Sequence, residues 1–140
     1  MLPRVVGLPL TGGCVCGGVR YEVTAQPVEA AYCHCRGCQR RTGTAASASA
    51  RTARGSFRVT RGEELVRCWL PEVGLPKCFC LVCGGALWSR EDDEDSVWVR
   101  LGGIDGDPGI RPSYRHDVAH AAVWEPIPDD GIPHYDDAGP

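Results

Sequence analysis

Apolar and polar residues alternate over short stretches along most of the chain. Val19-Arg20-Tyr21-Glu22-Val23 sets three apolar side chains on one face and two polar ones on the other, the period of a half-buried strand. Pro27 closes that run, and residues 28–33 read as a second strand. Residues 44–50 are small, with Ala and Ser alternating, and predict a strand lying close against a neighbour. Phe57-Arg58-Val59-Thr60 is a further strand, and Arg61-Gly62-Glu63 turns it into residues 65–70. Residues 86–89 and 97–101 predict a hairpin. Its connection, Glu91-Asp92-Asp93-Glu94-Asp95, is a run of acids that suits a solvated tip. The rival reading, a calcium loop, lacks the EF-hand spacing. Residues 35–41 predict a short helical turn that Gly43 stops. Residues 113–124 carry His116 and His120, which at a spacing of four share a face on a helix and on a strand alike, and residues 125–140 read as irregular. No long amphipathic helix is present in the pattern, so the expected class is mainly β with short helical turns.

A length of 140 residues fits one domain with its own hydrophobic core. The net charge of −3 argues against an electrostatic grip on nucleic acid or on an anionic membrane. Trp69, Trp88, Trp98 and Trp124 are therefore read as core residues, not as a stacking surface for bases. No run of apolar residues is long enough for a membrane span. Residues 1–10 are broken by Pro3 and Pro9 and lack a signal-peptide core, so a cytoplasmic location is expected. In that compartment nine cysteines are not a disulfide framework.

Eight of those nine fall into tight clusters: Cys14-Val15-Cys16, Cys33-His34-Cys35-Arg36-Gly37-Cys38 and Cys78-Phe79-Cys80-Leu81-Val82-Cys83. Such spacings suit tetrahedral zinc. Glycines flank the first cluster, and Cys80-Leu81-Val82-Cys83-Gly84-Gly85 has the form of a zinc knuckle. The thiols divide in two ways. Four plus four closes two structural sites, with Cys78 as an extra ligand. Four plus three closes one site, leaves the other open for chemistry, and strands Cys78. Spacing does not choose between them. Cys33, Cys35 and Cys38 come from one short segment and can fill three corners of a tetrahedron. Cys14 and Cys16 with Cys80 and Cys83 are two distant pairs, the usual build of a closed clamp. Cys68 stands alone in an alternating stretch and reads as a buried small hydrophobe. Backbone alternation turns His34 away from the metal of its neighbours.

Several stretches together resemble the glutathione-dependent formaldehyde-activating family. They are Gly13-Cys14-Val15-Cys16-Gly17, Val19-Arg20-Tyr21, Cys33-His34-Cys35 with Cys38 and Gly43, Phe57 to Gly62, Phe79-Cys80 with Cys83-Gly84, and Leu101-Gly102 with Asp105. Arg111-Pro112, His116, Trp124 and Asp130-Gly131-Ile132-Pro133 with Tyr135 extend the likeness. The resemblance implies an Mss4-like, metal-pinned β fold over residues 10–135, in which residues 113–124 are a strand, with residues 1–9 and 136–140 as tails. It implies two zinc ions per chain: a structural one on Cys14, Cys16, Cys80 and Cys83, and a catalytic one on Cys33, Cys35 and Cys38. The implied activity is that of a carbon–sulfur lyase on a small thiol adduct such as S-hydroxymethylglutathione. Glutathione is then the candidate partner, and Arg36, Arg40 and Arg41 are candidates for steering its anionic groups. Cys78 departs from the family pattern. As an extra ligand it would close the second site and favour the alternative, a non-catalytic, zinc-stabilised binding module.

Overall fold

The computed structural model describes residues 7–93 and 95–140. In chain order the strands are β1 (Leu10–Gly13), β2 (Arg20–Val23), β3 (Glu29–Cys33), β4 (Ser47–Arg51), β5 (Phe57–Arg61), β6 (Val66–Trp69), β7 (Lys77–Cys80), β8 (Ala86–Arg90), β9 (Val97–Arg100) and β10 (Arg115–His116). One α-helix, α1 (Arg36–Thr42), follows β3. The strands form a three-stranded sheet, ordered β1-β2-β5, and a seven-stranded sheet, ordered β10-β3-β4-β9-β8-β7-β6. All named pairings are antiparallel except that of β10 with β3. The mainly β expectation therefore describes the molecule.

The alternation read from the sequence becomes the inner faces of these sheets. Tyr21 and Val23 of β2 are 1% and 0% exposed, and Val97 and Val99 of β9 are 6% and 0% exposed. Tyr21 packs against Phe57 and Trp88 with ring centroids 5.3 and 6.0 Å away, and the latter two rings stand 4.8 Å apart edge-on. Where β3 pairs with β4 the buried residues are Ala30 and Ala31 of the one and Ser47, Ser49 and Ala50 of the other, the close packing expected from the small size of residues 44–50. Gly62 sits at φ +74°, and a Cβ there would drive into the Gly18 carbonyl. Only glycine meets both demands.

Three expectations are corrected. Of the four tryptophans, Trp88 is core, but Trp69 and Trp124 are 57% and 63% exposed. Residues 113–124 are not one strand. Pairing stops after His116, and a 3-10 turn over Val118–His120 leaves His120 exposed. Cys68 is exposed, not buried, and is joined by a disulfide to Cys78, its direct cross-strand partner. The acidic connection between β8 and β9 is exposed at Asp92, Asp93 and Asp95, and Arg54 ties back Asp93 and Asp95 at 3.8 and 2.8 Å. Glu94 lies outside the described residues.

Candidate metal centre

Two groups of free thiols converge. Cys14, Cys16, Cys80 and Cys83 place their sulfurs within 4.8 Å of one another. Cys14 and Cys16 stand in the turn between β1 and β2, while Cys80 ends β7 and Cys83 lies in the turn beyond it. The group therefore draws its members from both sheets, and a metal held there would fasten the smaller sheet to the larger. The Cys14–Cys16 and Cys16–Cys80 sulfurs are 3.5 and 3.9 Å apart. Ligands on tetrahedral zinc at ~2.3 Å would stand roughly 3.8 Å apart, so the donor set fits that metal. The turn is built for it. Gly84 takes φ +73° and its N–H donates to the Cys80 carbonyl at 2.8 Å, while the Cys80 N–H donates to Gly85 at 3.0 Å. The Val19 N–H points at the Cys14 sulfur at 3.3 Å. Backbone N–H groups of Cys16 and Gly85 draw the exposed Cys83 thiol down to about 6. These are the hydrogen bonds that orient and quieten zinc thiolates.

The second group is Cys33, Cys35 and Cys38, again within 4.8 Å of one another. Cys33 ends β3. Cys35 caps the N-terminus of α1, accepting the Cys38 N–H at 3.3 Å. One tight turn thus presents three sulfurs from a single segment. Gln39, buried on the inner side of α1, pins that turn by donating to the carbonyls of His34 and His120 at 2.7 and 2.8 Å. Contact with Cys33 draws the Cys38 thiol down to about 5 against the pull of burial, helped by Ser47, Cys35 and Lys77. The same contact drives Cys33 upward. Three sulfurs so placed suit a thiophilic divalent metal with one corner left over.

Positive charge gathers on one side of this group. Arg41, Lys77 and Arg100 all lie close enough for the charge of Cys38 to act on them, and burial lowers the pKa of each. Among the described residues none of them has a carboxylate within ion-pair reach. Arg100 donates to the Ser49 and Ser89 hydroxyls, each at 2.9 Å, and Lys77 donates to Ser89 at 3.3 Å. Arg41 lies over the Phe79 ring at 5.7 Å. A cavity of about 590 Å³ opens beside the first thiol group, lined by Cys14 together with Arg41, Ser47, Arg100 and Asp105. Of the arginines expected to steer a substrate, Arg41 alone lines this cavity. Arg36 hydrogen-bonds Gln39, and Arg40 is exposed.

The remaining candidates fall elsewhere. Cys78, the expected extra ligand, spends its sulfur on Cys68 and belongs to neither thiol group. His34 points away from the sulfurs, 4% exposed, with Nε2 3.3 Å from Arg115. His116 is brought beside Cys33 by the parallel pairing of β10 with β3. Its Nδ1 lies 2.7 Å from Asp117 Oδ2, which in turn is 3.7 Å from the Cys33 sulfur. Lys77, Arg100 and Asp117 had no local signal in the sequence, because each reaches the site from a distant strand or turn.

The model of the glutathione-dependent formaldehyde-activating enzyme (GFA) family matches residues 9–120. The chain belongs to the GFA family. Its mainly β architecture with short helical turns agrees with the Mss4-like fold of GFA proteins. The fold also resembles the crystal structure of a Rhodobacter sphaeroides protein, with 22% identity and a TM-score of 0.57, over 89% of this chain and 98% of that one. No curated protein matches. Within this GFA chain no helix among the described residues is long and apolar enough to cross a membrane.

Proposed function

We propose that this GFA protein is a zinc-dependent carbon–sulfur lyase acting on a small thiol adduct such as S-hydroxymethylglutathione. Two zinc ions per chain are assigned: a structural one on Cys14, Cys16, Cys80 and Cys83, and a reactive one on Cys33, Cys35 and Cys38. The observation that carries this reading is the convergence of three free thiols from one segment, with no fourth cysteine among them. When bound there, zinc supplies a resting place for a thiolate and withdraws charge from it.

The reaction breaks the C–S bond of a hydroxymethyl thioether. The sulfur keeps the electron pair, the hydroxyl loses its proton, and formaldehyde leaves. Negative charge therefore grows on sulfur. Arg41, Lys77 and Arg100 face that position with positive charge that no carboxylate among the described residues offsets, and fixed charges in a water-poor site stabilise charge as it develops. The same cations suit the carboxylates of a small peptide thiol. The alternative, a binding module with both sites structural, draws on the carboxylate and imidazole beside Cys33, which offer further donors.

The test is the rate of formaldehyde exchange on S-hydroxymethylglutathione, followed by NMR with the zinc-loaded protein. The spontaneous reaction is measured alongside. Acceleration that is lost in Cys33→Ser is the expected result. No acceleration by protein carrying two zinc ions would leave the binding module as the reading.

A further inference from the structure

Cys33 belongs to two groups of potential ligands at once. Its sulfur lies within 4.8 Å of those of Cys35 and Cys38, and also within 4.8 Å of a nitrogen of His116 and an oxygen of Asp117. The two groups share Cys33 without merging, so the carboxylate stands on one flank of the thiol cluster. We propose that Asp117 is a displaceable fourth ligand of the metal held by Cys33, Cys35 and Cys38, swinging onto it when no substrate is present and yielding to the substrate sulfur. This rests on the second metal site proposed above.

The placement of Asp117 is specific. It is the only described residue other than glycine with a positive φ, +57°. That conformation is uncommon outside glycine, asparagine and aspartate. The C-terminal segment holds it there: the Asp117 N–H donates to the Asp137 carbonyl at 2.7 Å, and the Val118 N–H donates to that of Tyr135 at 3.1 Å. The register of β10 against β3 sets His116 opposite Cys33, so the next residue reaches the cluster. Its side chain is 27% exposed, which leaves room to rotate.

The chemistry of the contact requires a change once metal is present. Here the Cys33 thiol can donate to the Asp117 carboxylate across 3.7 Å. A metal-bound sulfur has no proton to donate, and the carboxylate would then face an anion. Moving onto the metal removes that conflict. A sulfur and an oxygen on one tetrahedral zinc, at bond lengths of ~2.3 and ~2.0 Å, stand roughly 3.5 Å apart, close to the present separation. His116 Nδ1, 2.7 Å from Oδ2, gives the carboxylate its alternative rest position. The result is a two-position side chain, on the histidine or on the metal.

A competing ligand leaves a signature that a structural residue does not. Removing it weakens metal binding and strengthens the binding of an incoming thiol by the same factor, because the two effects share one equilibrium. The experiment uses full-length protein loaded with cobalt(II), with Asp117→Asn and Asp117→Gly beside the native chain. Both replacements tolerate the positive φ and lack the carboxylate. Cobalt affinity of the second cluster is read by chelator competition. Affinity for 2-mercaptoethanol, a neutral thiol, is read from the sulfur-to-cobalt charge-transfer bands. The expected result is cobalt bound about tenfold more weakly and thiol bound about tenfold more tightly in both variants, within the range for perturbed metal sites. Unchanged cobalt affinity overturns the proposal, and so does a fall in both affinities, which marks a structural role. A native chain that binds no cobalt at the second cluster overturns this inference together with the metal site on which it rests.

Discussion

Losing one thiol from each cluster should have very different consequences for the fold. Cys80 is 0% exposed and belongs to the group that joins the two sheets. Metal there would cross-link residues far apart in the chain: Cys16 and Cys80 are separated by 64 positions. Closing a loop of that length in the unfolded chain is worth roughly 4 kcal/mol on the chain-entropy model. Cys80→Ser also leaves a hydroxyl in a fully buried position, a further cost of about 1–3 kcal/mol where it finds no partner. The sum approaches the whole stability of a typical domain, about 5–15 kcal/mol. Cys33→Ser is the control. Its cluster lies on one segment, Cys33 to Cys38, and the same model gives that loop only roughly 2 kcal/mol, much of which α1 already secures. The assay is urea unfolding of both variants, purified without added zinc so that a weakened site is empty, by near-UV circular dichroism, to which the packed ring of Trp88 contributes. Cys80→Ser is expected to lose at least about 2 kcal/mol more than Cys33→Ser, by the difference of the two loop terms. Equal losses would refute the assignment of the first cluster as the clamp between the sheets.

Other outcomes follow from the same geometry. Cys78→Ser should keep the same zinc content as the native chain, because the Cys78 sulfur is committed to Cys68; a fall by one equivalent on elemental analysis would make it a ligand. Gly62→Ala should lower stability by about 2–5 kcal/mol, from the left-handed backbone and the collision with the Gly18 carbonyl together; chemical denaturation with a loss under about 1 kcal/mol would contradict this. Zinc affinity at the second cluster should fall as pH drops from 8 to 6. Cys33, raised by its contact with Cys38, must give up a proton to bind metal, so protons compete, whereas Cys38, at about 5, is already ionised. Calorimetry in buffers of different ionisation enthalpy should therefore show proton release on zinc addition, and its absence would refute the assignment. Arg41→Met with Lys77→Met should lower kcat/KM for an acidic thiol adduct about tenfold more than for a neutral one, because the neutral one loses only the stabilisation of charge growing on sulfur; equal loss for both would mean that the two cations do not hold the substrate's carboxylates.

The strands were legible where two-residue alternation was strong. Val19 to Val23 and Phe57 to Thr60 fall within or beside β2 and β5 because their buried faces are apolar and their outer faces are charged. By contrast, β1 escaped because Leu10-Thr11-Gly12-Gly13 offers one large apolar side chain, and its strand form depends on pairing with β2 and a close approach to Tyr21. β10 escaped because it is two residues long and exists only through its parallel pairing with β3. The thiol groups were legible because their members cluster in sequence. Cys68 and Cys78 were not, since a bond between them depends on the β6–β7 register that sets them face to face. His116 was visible as a residue but not as a neighbour of Cys33, and Asp117 carried no signal until the chain reversal after β10 put it there.

The residues around the second cluster argue for a directional site. Three thiolates and one divalent ion would carry a net negative charge, which in a half-buried position needs compensation. Arg41, Lys77 and Arg100 offer it from the side of α1 and the larger sheet, and Arg41 and Arg100 continue that charge into the cavity. Asp117 and His116 stand instead against Cys33, where β3 meets β10. For an anionic ligand of the second cluster, Arg41, Lys77 and Arg100 supply favourable potential, while Asp117 stands as the competing anion beside Cys33. Exchange of one anion for another at that point leaves the charge of the site nearly unchanged. On the proposed assignment, such a site would bind and release a thiolate with little change in its net charge. A closed four-cysteine site has no such freedom, and the difference between the two clusters lies in this as much as in the count of sulfurs.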